Sequence, residues 1–195
     1  VVVNPIPTLS VNNSTICAGN NALITAIANL PGGTFYWGTP GIAGPASQSL
    51  SPLNDTTITV TYSLNGCSSP SAVSAITVNP LPIASFTANV TQGCNPLSVN
   101  LSADDNTNTS YTWTTSNGLN ATGSQANILF QSNGGFDVSL TANLNGCSVT
   151  ETVYNYIQVD NYPIAAFEPS SNLFTEPNQT IYFMNNSLGA ATYVW

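Results

Sequence analysis

The chain has no lysine, no arginine and no histidine, so its eight acids leave a formal charge of −8 over 195 residues. An ordinary domain is about a quarter charged, and at this length would carry roughly two dozen basic side chains. Their absence removes whole classes of function. Nucleic-acid binding needs cations to displace phosphate counterions, and an anionic membrane surface attracts polybasic segments; neither device can be built here. Without histidine there is no Ser–His or Cys–His nucleophile pair and no imidazole metal ligand. Without lysine there is no Schiff base, no phosphate-loop lysine and no Lys–Asn cross-link. Long apolar runs are missing too, and no stretch of 18 residues reads as a membrane span. Val1-Val2-Val3 is too short for a signal-peptide core and follows no basic segment, so any export signal is expected outside these residues. Carboxylates, hydroxyls and thiols are the reactive groups that remain.

Asn, Thr and Ser number 72 of the 195 residues. Uncharged polar groups therefore do the solvating that charges usually do. Such a composition borders on that of disordered chains, but the β-branched and aromatic content is too high for one.

Internal repetition organises the sequence. Asn4-Pro5-Ile6-Pro7 recurs as Asn79-Pro80-Leu81-Pro82, and more loosely as Asn161-Tyr162-Pro163-Ile164. Cys17 corresponds to Cys94, and Asn65-Gly66-Cys67 to Asn145-Gly146-Cys147. The aromatic pairs Tyr36-Trp37, Tyr111-Thr112-Trp113 and Tyr193-Val194-Trp195 recur in step. A period of roughly 76 to 82 residues is too long for a solenoid and suits a small independent sandwich. The boundaries follow: 1–3 as the last strand of a preceding unit, 4–79 as one sandwich, 80–160 as a second, and 161–195 as the start of a third. The polypeptide is expected to continue in both directions.

Period-2 alternation between Gly, Pro and Asn clusters predicts antiparallel strands. In the first unit they are Ile6–Val11, Ala22–Ala28, Thr34–Gly38, Ser47–Ser51, Thr56–Ser63 and Ala72–Val78. In the second they are Ile83–Asn89, Leu97–Ala103, Ser110–Thr115, Gln125–Phe130, Phe136–Asn143 and Val149–Val159. The last two strands of each unit meet at Asn-Gly, a strong hairpin signal. In an up-and-down count the cysteine after strand one and the cysteine after strand five share one end. Four cysteines allow three connectivities, and the repeat favours Cys17–Cys67 with Cys94–Cys147, one staple within each complete unit. Each would close a loop of about 50 residues, worth about 4 kcal/mol in the chain-entropy model. An even cysteine set of this kind implies an oxidising compartment.

These residues resemble a known family. Pro82-Ile83-Ala84-Ser85-Phe86, then Gly93-Cys94-Asn95-Pro96-Leu97-Ser98-Val99-Asn100-Leu101, then Tyr111-Thr112-Trp113, resemble the opening of a PKD (polycystic kidney disease) domain. Gly135-Phe136-Asp137-Val138-Ser139-Leu140-Thr141-Ala142 resembles its late strand. Pro163-Ile164-Ala165-Ala166-Phe167 resembles another PKD start, and Thr15-Ile16-Cys17-Ala18-Gly19 is similar to bacterial Ig-like repeats. The resemblance implies tandem all-β sandwiches in giant surface proteins of Bacteroidota, associated with gliding motility and exported by the type IX system. It departs after the tryptophan, where the family carries an acidic Trp-Asp-Phe-Gly-Asp-Gly-like turn. Here Trp113 precedes Thr114-Thr115-Ser116-Asn117-Gly118, so no role of that turn transfers.

Few positions suggest chemistry. Trp37, Trp113 and Trp195 hold one repeat position; they read either as an aromatic sugar platform or as the core tryptophan a sandwich places on its third strand. Asp104-Asp105 reads either as part of a Ca²⁺ site, which needs six to eight oxygens, or as a solvated loop pair. A glycosidase-type carboxylate pair finds no repeated acidic position to sit on. Asp55-Thr56-Thr57 fits the triplet at which proteins of the suspected phylum are O-glycosylated, with Thr56 the acceptor.

The sequence thus predicts a non-enzymatic, cell-surface, outer-membrane-attached array without a required cofactor. Its partners are neighbouring repeats of the same chain, with polysaccharide or surface ligands engaged by other domains; nucleic acid and membrane insertion are not expected. Accessory modules of a secreted protease or chitinase, or a self-assembling filament or surface-layer subunit, are the alternatives.

Overall fold

The computed structural model describes residues 4–105, 109–170, 177–178 and 180–194. Val1–Val3 and Trp195 lie outside them, so neither the expected closing strand nor the third tryptophan is described. The chain forms two compact units, one of residues 1–83 with 142–149, the other of 84–141 with 150–195. Both are all-β.

In the first unit the strands are β1 (Leu9–Val11), β2 (Ser14–Cys17), β3 (Ala22–Ala28), β4 (Thr34–Trp37), β5 (Ile42–Gly44), β6 (Ser47–Leu50), β7 (Thr56–Leu64), β8 (Cys67–Ser68) and β9 (Ala72–Asn79). A three-stranded sheet in the order β1-β3-β6 accompanies a sheet in the order β2-β9-β7-β4-β5, with β8 also paired to β7. Alternation decides which face is buried. Along β3, Ala22, Ile24 and Ala26 are buried while Leu23 and Ile27 face outward. They pack with Trp37, Val60 and Ile76, which come from the other sheet. Burying Ile24, Val60 or Ile76 contributes about 1.5–3 kcal/mol each. Of the six residues, two are alanines, so the core is thin, as a unit this small must have.

The second unit contains β10 (Phe86–Ala88), β11 (Gln92–Cys94), β12 (Leu97–Ala103), β13 (Ser110–Thr115), β14 (Asn120–Thr122), β15 (Gln125–Phe130), β16 (Gly134–Leu144) and β17 (Cys147–Asp160). The hairpin tip between β16 and β17 belongs by its contacts to the first unit. One sheet runs β10-β12-β15 and the other β11-β17-β16-β13-β14. The same alternation buries Tyr111 and Trp113 on β13, Ala126, Ile128 and Phe130 on β15, and Val138, Leu140 and Ala142 on β16. Phe86 meets Trp113 edge-on at 5.3 Å and Tyr156 at 5.4 Å, closing the aromatic end of this core. The remaining strands, β18 (Phe167–Pro169) and β19 (Phe183–Asn185), form a two-stranded ribbon.

The fold class is the predicted one, all-β, with sheets antiparallel except for the β2–β9 and β11–β17 pairs. Both Asn-Gly turns have the paired positive φ of a type I′ hairpin, 49° and 81° at Asn65-Gly66 and again at Asn145-Gly146. Two short strands per repeat were not predicted: β2 with its counterpart β11, and β5 with its counterpart β14. The first of these changes the disulfides.

Candidate functional site

The chemically distinctive groups are the four cysteines. Cys17 is bonded to Cys147, 130 residues away, while Cys67 and Cys94 are unbonded and half-buried. The expected pairs Cys17–Cys67 and Cys94–Cys147, one staple per unit, are therefore corrected. The reason is the unpredicted strand β2, which runs parallel to β9 and brings Cys17 level with Asn79 at its far end. Cys67 instead follows the Asn65-Gly66 turn, on the strand paired with Leu64. The segment from Cys67 leads into β9 at Ala72, so the two cysteines flank opposite ends of an eight-residue strand. At about 3.3 Å per residue that strand spans roughly 26 Å, whereas a disulfide requires Cα atoms within about 7 Å. The second repeat has the same layout: β11 runs parallel to β17 and sets Cys94 level with Asp160, while Cys147 opens that strand.

Asparagine frames the bond. The Asn79 side chain donates to the Asn145 carbonyl at 2.9 Å, and the Cys147 sulfur lies 3.9 Å from the Asn79 carbonyl oxygen. Ala18 donates its amide to that same carbonyl at 2.9 Å, fixing the chain beside Cys17. Around unbonded Cys67 the arrangement repeats with Asn4 in the role of Asn79. Its side chain donates to the Asn65 carbonyl at 3.5 Å, and its carbonyl oxygen lies 3.9 Å from the Cys67 sulfur.

The other predicted positions have structural uses. Trp37 and Trp113 are buried, and each indole N–H donates to a loop carbonyl, Pro45 at 2.9 Å and Gly123 at 2.8 Å. Their faces are taken up by the core, so the aromatic platform does not form from these two. Asp104 and Asp105 follow β12; Asp104 donates its amide to Ser85, and the Asp105 carbonyl accepts from the Tyr111 hydroxyl. Among the described residues no three His, Cys, Asp or Glu side chains form a group able to hold a metal. Asp55 accepts the Val78 amide at 2.7 Å and Asp137 accepts the Asn155 amide at 2.8 Å, so these acids fasten strands. Thr56, next to Asp55, is exposed at the start of β7. An apolar hollow of about 450 Å³ lies among Pro163, Ile164, Phe167, Tyr193 and Val194, with no carboxylate or thiol in its lining.

Sequence reasoning missed two further residues. Asn12 accepts the Thr25 amide at 2.6 Å through its side chain, as Asn89 accepts the Asn100 amide at 2.7 Å. Each bridges the first long strand of its repeat to the segment before it. Their equal place in the repeat was the available signal.

The fold and these sites define a disulfide-bonded β-sandwich module whose polar residues chiefly hold its own strands. The disulfide places it in an oxidising, extracellular setting. No helix among the described residues is long and apolar enough to cross a membrane. Residues 84–156 match the family model of the PKD domain. No curated protein matches the chain. Among solved structures it is similar to murine CEACAM1b, at 12% identity and a TM-score of 0.37, covering 78% of this chain and 100% of that one. Fibronectin(III)-like modules of Clostridium thermocellum CbhA match at 11% identity and a TM-score of 0.39, covering 78% and 95%. The Ig1-2 module of the Drosophila receptor protein tyrosine phosphatase DLAR matches at 11% and 0.33, covering 80% and 100%.

Proposed function

We propose that this chain is a spacer segment of a large extracellular adhesin or surface-filament protein. Its repeats, divided near 79/80 and 160/161, hold ligand-binding domains away from the cell. The observation that carries the reading is the Cys17–Cys147 bond, which ties β2, the strand alongside the one that closes one sequence repeat, to the hairpin of the next. A covalent tie there suits a segment that must transmit force without extending. The composition agrees: with no His, Lys or Arg, the usual acyl-transfer and Schiff-base machinery cannot be assembled, and PKD and Ig-like domains are typically non-catalytic modules. A net charge of −8 on a polar surface also repels like copies, as a stalk requires. Export by the type IX system of a gliding member of the Bacteroidota, attachment to the outer membrane and O-glycosylation at Thr56 complete the proposal.

The test compares three proteins: the full-length polypeptide, the same protein lacking residues 1–195, and the isolated 195-residue chain. Binding to polysaccharide, glass and cell surfaces is measured for each. The reading expects the deletion to retain ligand affinity but lose reach, and the isolated chain to bind none of these surfaces. If the isolated chain carried most of the binding, the spacer reading would be wrong.

A further inference from the structure

We propose that Cys67 and Cys94 are each bonded to a cysteine of a flanking repeat, so that one disulfide fastens every repeat to the next along the polypeptide. The inference rests on the tandem-array reading above and assigns its sulfur chemistry.

The repeat contains two kinds of cysteine. One kind, Cys17 and Cys94, ends a short strand that runs parallel to the last strand of its repeat. It sits level with that strand's final residue, Asn79 in one case and Asp160 in the other. The next amide donates to the carbonyl of that final residue in both, Ala18 to Asn79 at 2.9 Å and Asn95 to Asp160 at 2.8 Å. The other kind, Cys67 and Cys147, directly follows an Asn-Gly turn of identical backbone geometry. The observed bond joins a strand cysteine of one repeat, Cys17, to the hairpin cysteine of the following repeat, Cys147.

Shifting that rule by one repeat in either direction assigns the two remaining thiols. Cys94 is the strand cysteine of the second repeat, so its partner is the hairpin cysteine of the repeat after it. Cys67 is the hairpin cysteine of the first repeat, so its partner is the strand cysteine of the repeat before it. The surroundings of Cys67 are already arranged for this. Asn4 stands beside Cys67 as Asn79 stands beside Cys147, with the same side-chain donation to the turn and the same 3.9 Å from sulfur to carbonyl oxygen. In the bonded case the residue level with that asparagine is the partner cysteine, Cys17. A strand cysteine level with Asn4 would therefore meet Cys67 as Cys17 meets Cys147.

Each bond forms by thiol–disulfide exchange with an oxidised dithiol carrier of the export compartment. One thiolate attacks the carrier disulfide and forms a mixed disulfide. The second thiolate then attacks the protein sulfur of that intermediate. The carrier leaves as its dithiol, having taken up the two electrons and two protons that the cysteines lose.

The experiment uses the full-length secreted protein, alkylated under denaturing, non-reducing conditions and digested with chymotrypsin or pepsin, since this segment offers trypsin no site. Mass spectrometry should find Cys17 joined to Cys147. Cys67 and Cys94 should resist alkylation, each in a peptide joined to a cysteine outside residues 1–195 of the same polypeptide. The Cys94→Ser variant should release one new alkylatable thiol per chain, at an Asn-Gly-Cys turn further along. Quantitative alkylation of Cys67 and Cys94 without reductant would overturn the proposal. So would Cys17–Cys67 and Cys94–Cys147 pairs, a Cys67–Cys94 bond, or bonds between separate chains. A full-length sequence with no further repeats of this kind would instead remove the array reading itself.

Discussion

The Tyr62 hydroxyl accepts the amide proton of Gly33 at 2.6 Å and gives its own proton to the Leu30 carbonyl at 2.7 Å. This buried phenol ties β7 to the loop before β4, and the loop must come close to be reached. A Cβ added at Gly33 would lie 2.3 Å from the Ser63 carbonyl oxygen and 2.5 Å from Tyr62 Cζ. Tyr62→Phe should therefore cost about 1–2 kcal/mol, for two backbone groups left without their partner. Gly33→Ala should cost more, because backbone rather than a flexible side chain must move. The double variant should cost less than the sum, since both changes break one contact. Urea unfolding of the 195-residue chain, followed by tryptophan fluorescence, reads all three. Strict additivity would show that the Gly33–Tyr62 contact is not formed in solution.

The two hairpin glycines offer a cleaner backbone test. Gly66 and Gly146 share φ of 81°, and nothing lies within 4 Å of a Cβ at either position. Only the cost of holding an L residue at positive φ is at stake, about 1–2 kcal/mol. Gly66→Ala and Gly146→Ala should each lower stability by that amount, and by similar amounts, in thermal unfolding. A neutral effect at either site would mean that the turn is not type I′ in solution.

Asp137 holds an irregularity in β17. Its carboxylate accepts the amide of Asn155 at 2.8 Å, and Asn155 sits at φ 50° inside the strand. Asp137→Ala should cost about 1–2 kcal/mol by releasing that amide. Asp137→Asn keeps an acceptor oxygen and should recover most of the loss. Hydrogen exchange at the Asn155 amide should quicken in the alanine variant and stay slow in the asparagine variant. Equal exchange in both would show that the carboxylate does not hold this amide.

Strict alternation made much of the fold legible in the sequence. The long strands β3, β12, β13 and β15 fall at their predicted bounds, because Ala-Leu-Ile-Thr-Ala-Ile-Ala and Gln-Ala-Asn-Ile-Leu-Phe alternate without interruption. Strands of three or four residues, such as Ser-Thr-Ile-Cys in β2 and Gln-Gly-Cys in β11, are too short to show a period. Their parallel pairing is a tertiary fact with no local signature. That omission placed Cys17 at the wrong end of its sandwich and misdirected the disulfides. The repeat favoured a bond inside each unit, yet the equivalence of Cys17 with Cys94 and of Cys67 with Cys147 also fits a bond between successive repeats. Strand geometry decides between them. Trp37 and Trp113 lie buried on β4 and β13, where a sandwich core has room for an indole. The Asn12 and Asn89 bridges went unread because asparagine is so abundant here that no single one stands out.

The tryptophans also give the sharpest test against a carbohydrate-binding role. Trp113 is completely buried and Trp37 is 5% exposed, with both indole N–H groups committed to carbonyls of their own repeat. A sugar platform needs an open aromatic face, and neither ring offers one. In a Trp195→Phe chain, the emission of Trp37 and Trp113 should therefore be blue-shifted and weakly quenched by acrylamide. Adding cellulose, chitin or alginate oligosaccharides should leave it unchanged. Trp113→Ala removes a large core side chain and its edge-on contact with Phe86, so it should cost about 3–5 kcal/mol, a large part of what a domain this size has to lose. Trp113→Phe keeps most of the apolar volume but leaves the Gly123 carbonyl without its donor, and should fall between the alanine variant and the native chain. Loss of stability without any change in carbohydrate response identifies the ring as core. A saturable change of emission with one of these oligosaccharides, abolished by Trp37→Phe or Trp113→Phe in a chain that remained folded, would instead make the tryptophan a ligand contact.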